Sequence, residues 1–76
     1  MMTTEELTAR DERTLAVLAT MLERYTGILT DQDLSRDNKI GYMVAACMVD
    51  ERYAVGWLCL RDARRLVGEA FLRRGI

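Results

Sequence analysis

The sequence predicts an all-α fold: a compact three-helix bundle with helices over about residues 4–26, 31–52 and 57–74, completed by pairing with a second copy. Three observations carry that prediction. Proline is absent and aromatics are few, while Leu, Ala, Arg, Met and Glu dominate; these residues lose least side-chain freedom in a helix. Apolar residues recur at spacings of three and four along most of the chain. Glycines at 27 and 56 punctuate that periodicity where turns are needed.

The first segment, about Thr4 to Thr26, sets Leu15, Leu18, Leu22, Tyr25 and the following Leu29 in one stripe. Val17, Met21 and Ile28 widen the stripe, so this helix packs against two neighbours. Glu5, Glu6, Asp11 and Glu12 stand near its start, where the helix dipole favours negative charge, and Gly27 is the predicted stop. Thr30-Asp31-Gln32-Asp33 reads as the next start, a threonine cap with an acid three residues on. One helix follows to about Arg52, with a break left open near Ser35–Asn38. Its centre, Ile40–Val49, is apolar on every side, which places it in the middle of something. Gly41 and Ala45, four apart, admit a close neighbouring backbone. Gly56 marks the next turn, and the third helix runs from Trp57 to Arg74. Leu60, Ala63, Leu66, Val67, Ala70 and Phe71 form its predicted buried stripe, Arg61, Arg64 and Arg65 project from the other side, and Gly75 closes it. Glu69 and Arg73 pair at i,i+4.

Seventy-six residues make one helical domain, 1–76. A monomer of this size buries only about 60% of the surface its unfolded chain exposes, and small folds recover stability through disulfides, metals or association. Cys47 and Cys59 both lie in apolar segments, and the expectation is two reduced, buried thiols rather than a bridge. No apolar run reaches the ~20 residues that span a bilayer, because Asp50-Glu51-Arg52 cuts Ile40–Leu60. The acidic Met1–Glu6 start is the opposite of a secretory n-region. The expected location is cytoplasmic, with no membrane partner.

The formal net charge of -1 conceals two unlike halves. Up to Glu51 ten acids face five bases; from Arg52 onward six bases face two acids. Such asymmetry suits an acidic partner for the tail, nucleic acid included. It equally suits attraction between the two halves, within one chain or across a dimer.

Reactive chemistry is sparse. There is no histidine, and Ser35 is the only serine, so the common general base and Ser-His or Cys-His pairs are missing. Asp31-x-Asp33-x-Ser35-x-Asp37 resembles the opening of a calcium loop. Its sixth and twelfth positions, however, hold Arg36 and Tyr42 where glycine and a bidentate glutamate are required. Two cysteines without further ligands do not make a zinc site. The sequence therefore predicts no catalytic residue, no metal and no cofactor.

Apolar surplus and arginine clustering remain. Met21, Met43 and Met48 read as gap-fillers in the core, yet three short helices cannot cover all the apolar side chains. Tryptophan, tyrosine and arginine dominate protein interfaces, and Trp57, Arg61, Arg64, Arg65, Arg73 and Arg74 are the candidate partner-binding residues. The expected function is that of a non-enzymatic interaction module, a regulator or inhibitor that binds a partner protein as a homodimer. The alternative is a nucleic-acid-associated regulator that uses the arginine-rich last helix.

Overall fold

Thr3 starts the first helix. Its hydroxyl accepts from the Glu6 N–H at 3.1 Å, and the Glu6 carboxylate accepts from the Thr3 N–H at 3.4 Å. This capping box satisfies two otherwise unpaired donors and opens α1 (Thr4–Arg24) in the computed structural model, which describes residues 1–76. The other elements are α2 (Thr26–Leu29), α3 (Arg36–Val49), a 3-10 turn at Glu51–Tyr53, and α4 (Leu60–Arg74). The fold is all-α, a three-helix bundle of α1, α3 and α4 with α2 as a single-turn insert.

The helix limits differ from the periodicity at four places. The first break falls at Tyr25, not Gly27, which sits inside α2 without a positive φ. The phenol of Tyr25 reaches across to donate to Asp50 at 2.9 Å, while the extra turn carries Leu29 into the core. The second helix starts at Ser35 and not at Thr30. Thr30 donates back to the Thr26 carbonyl at 2.8 Å, and Asp31 captures the Asp33 N–H at 2.8 Å. These short-range bonds compete with helix formation, whereas the Ser35 hydroxyl accepts from the Asn38 N–H and caps α3. α3 ends at Val49, because Asp50 is extended and its carboxylate caps the 3-10 turn. The last helix begins at Leu60, three residues later than expected. Residues 57–59 lie outside it, which buries Leu58 and leaves Leu60, a predicted core residue, exposed. Gly75 closes α4 at φ 81°, the left-handed conformation open to glycine.

Leu18, Met21, Leu22, Met43, Leu66, Val67 and Phe71 are essentially inaccessible and form the centre of one core. α1 and α4 run parallel, since Asp11 meets Arg65 and, further along, Glu12 meets Arg73. α3 does not retrace α1: Arg36 at its start lies over the Phe71 ring, and Asp50 beyond its end holds Tyr25. The return is completed by the segment after Tyr53, which brings Trp57 back to Arg10. Cys47 is buried as expected, but Cys59 is exposed at the start of α4, and both thiols are free. Met21 and Met43 are core residues; Met48 is exposed. No helix is long and apolar enough to cross a membrane.

Candidate interaction surface

The arginines of α4 divide among three surroundings. Arg65 turns toward α1 and donates to Asp11 at 3.0 Å, with Asp62 a further partner at 3.5 Å. Arg73 grips Glu12 with two bonds, at 2.7 and 3.0 Å, and meets Glu69 at 3.4 Å. Arg64 lines a shallow groove on α3 with Gly41, Tyr42 and Ala45. Arg61 is exposed, with Asp62 at 3.8 Å, and Arg74 is exposed at the end of the helix. Two of the five candidate arginines on α4 are thus engaged by acids of α1, and the opposed charges of the two halves meet inside one chain.

Trp57 lies outside α4, in the turn, half-buried. The cation over its ring is Arg10 of α1, 3.6 Å from the centroid. Sequence reading set this indole beside Arg61 and Arg64; Arg10 and Arg13 are what line its cleft. Nothing local foretells a contact across 47 positions, although a half-buried arginine on the apolar side of α1 is a signal in hindsight.

The shifted groups trace the same pairs. Arg52, hydrogen-bonded through both its side chain and its N–H, holds the Asp50 carboxyl well below the ordinary range, and the Tyr25 hydroxyl adds to this. Tyr25 is raised in turn, because losing its proton would break the bond to Asp50. Arg73 lowers Glu12. Asp62 is lowered first by the Cys59 thiol and then by Arg61 and Arg65. Burial raises the Cys47 thiol, which keeps it protonated and inert.

α3 has two unlike sides. Met43, Val44, Ala46 and Cys47 face the core. The opposite side carries Gly41, Tyr42, Ala45, Met48 and Val49, with Tyr42 53% and Val49 79% exposed. Isolated exposed apolar residues are ordinary, whereas a contiguous patch marks an interaction site. Gly41 sharpens the point. Mid-helix glycine costs about 0.5–1 kcal/mol relative to alanine, yet a Cβ at Gly41 would meet nothing within 4 Å, and its φ is not positive. No contact within the chain requires a glycine here, as is also true of Gly68 in α4.

The ends of α3 carry charges of both signs. Arg36 and Lys39 lie at its start with Arg64 nearby, against Asp37 and the preceding Asp31 and Asp33; Asp50 and Glu51 follow its end, offset by Arg52.

Comparison with protein-family models, with curated proteins and with solved structures finds no match. The functional reading rests on the surface of the chain itself.

Proposed function

We propose that the chain is a non-enzymatic protein–protein interaction module that pairs with a second copy of itself through the outer side of α3, and acts as a regulator or inhibitor by binding a partner protein. The observation that carries this reading is the exposed stripe of Gly41, Tyr42, Ala45, Met48 and Val49 on a helix whose other side is already buried. A two-fold axis at Ala45 lays two α3 helices antiparallel. Met48 and Val49 then fill the space beside Tyr42 and Gly41 of the second copy, so the glycine gains a purpose. The same arrangement brings Lys39 toward Glu51 of the second copy and opposes the helix dipoles favourably. The arginine-helix alternative draws less support, because Arg65 and Arg73 are engaged by acids of α1.

Sedimentation velocity between about 1 μM and 1 mM tests the pairing. The expected result is a concentration-dependent dimer, with Ala45→Arg weakening association at least ~10-fold while far-UV circular dichroism stays unchanged, about 1.4 kcal/mol of association energy. A monomer throughout that range overturns the homodimer. The regulatory part is tested by tagged capture from the native host cell, with and without nuclease. A protein recovered equally from both is expected; recovery only from the untreated lysate overturns this reading in favour of nucleic acid.

A further inference from the structure

A poorly satisfied group lies away from α3. The guanidinium of Arg10 carries five N–H donors. The single acceptor the chain offers them is the Met2 thioether, 3.5 Å from Nη1. Its Nε is buried without any partner, and no carboxylate lies within 4.0 Å of either Arg10 or Arg13. Elsewhere the chain pairs its inter-helix arginines with acids, as at Arg65 and Arg73. Stacking on Trp57 at 3.6 Å holds the guanidinium flat and compensates in part for its loss of water. It leaves Nε unmatched and the terminal nitrogens without a carboxylate.

These groups border a cleft of about 450 Å³ between α1 and the turn before α4. Arg10, Arg13 and Trp57 line it together with Val17, Ala54 and Val55. Arg13 follows Arg10 by three positions and so shares its side of α1. The cleft is of a size to take a side chain or a small molecule. It combines two uncompensated positive charges with an aliphatic floor. A guanidinium held in plane matches a carboxylate through two parallel hydrogen bonds, and the valines suit an alkyl group attached to it. Glu6, one turn before Arg10, has its own carboxylate drawn to the Thr3 N–H.

We propose that this cleft is a binding site for a carboxylate borne next to an aliphatic group, as at the C-terminus of a peptide ending in leucine or in a free branched-chain acid, with Arg10 and Arg13 as the carboxylate ligands and Val17 and Val55 as the apolar contact. The site is independent of the α3 face and stands or falls separately from it.

Trp57 is the only tryptophan, so its fluorescence and its indole N–H resonance report on the cleft alone. The probes are N-acetyl-leucine, N-acetyl-leucinamide, a tetrapeptide ending in leucine, isovalerate, inorganic phosphate and a single-stranded oligonucleotide. Saturable shifts are expected with N-acetyl-leucine, absent with the uncharged amide, and at least ~10-fold weaker with phosphate. Arg13→Gln, at an exposed position, is expected to weaken binding at least ~10-fold with unchanged circular dichroism, while Arg61→Gln has no effect. Tighter binding of the tetrapeptide than of isovalerate assigns the site to a protein terminus, and the reverse order assigns it to a free acid; either supports the site. No saturable shift with any carboxylate, equal binding of the amide, or preference for phosphate or the oligonucleotide overturns the proposal.

Discussion

The seam between α1 and α4 and the outer side of α3 are built from similar residues and end in opposite conditions. Along the seam, Leu15, Leu18, Leu22, Leu66, Ala70 and Phe71 are buried, and acids of α1 meet arginines of α4 at its border. On α3 the inner side is equally buried, but the outer side is apolar and exposed, and nothing in the chain fills the space beside Gly41. The apolar residues of the seam are covered within the monomer, whereas the outer side of α3 is exposed. The separation lies in what borders each apolar surface: acid–arginine pairs on the seam, exposed apolar side chains on α3.

The comparison breaks most readily at the shared core. Phe71→Ala empties the centre against which the helices pack, and the expected loss is about 3–5 kcal/mol, enough to leave a domain of this size largely unfolded at 37 °C. Chemical denaturation followed by circular dichroism checks it. A loss under about 1 kcal/mol would mean that the three helices do not share one core.

Gly41→Ala separates the two regions more finely. At micromolar concentration the monomer is expected to gain about 0.5–1 kcal/mol, since nothing in the chain obstructs a methyl group there. At millimolar concentration the same variant is expected to associate more weakly than the parent. Thermal melts at both concentrations give the two signs, and a gain at both would remove the argument that Gly41 serves a close approach.

The ionic border of the seam is expected to contribute little. Glu12 and Arg73 are each about half-exposed, and such pairs are worth little in water. A double-mutant cycle with Glu12→Gln and Arg73→Gln should show a small favourable coupling that vanishes in 1 M salt. Persistence in salt would show that the seam depends on that pair more than on its leucines.

The smallest effect concerns pH. Asp50 titrates lower folded than unfolded, so its contribution is complete above the unfolded value of about 3.9. It is lost as pH falls through the lower folded value. Melting temperature should therefore drop below about pH 4, and Asp50→Asn should flatten part of that slope. An unchanged slope would assign it to Glu12 and Asp62 instead, both also lowered.

Much of the fold was legible in the chain. The stripe of Leu15, Leu18 and Leu22, the inward positions Ala63, Leu66, Val67, Ala70 and Phe71, and the stop at Gly75 follow from period and conformational preference, which act over a few residues. The limits at Tyr25 and Leu60 were not legible, and near Ser35–Asn38 only an interruption was, not the start of the helix at Ser35. Each depends on a competing bond or a distant contact: Tyr25 to Asp50, Asp31 to the Asp33 N–H, Trp57 to Arg10. Of the candidate site residues, Arg65 was visible as charge without a partner, Arg73 with Glu69 but not with Glu12, and Trp57 as an anchor but not in its setting.

The sequence by itself determined an all-α chain of three substantial helices and an uneven charge, because helix propensity, periodicity and net charge are local or additive properties. The tertiary structure decided which arginines are neutralised, which side of an all-apolar helix stays open, and which cation rests on the single tryptophan. Those outcomes depend on pairs of groups far apart in the chain, whose meeting is set by the packing of the whole core and by no pattern within either segment.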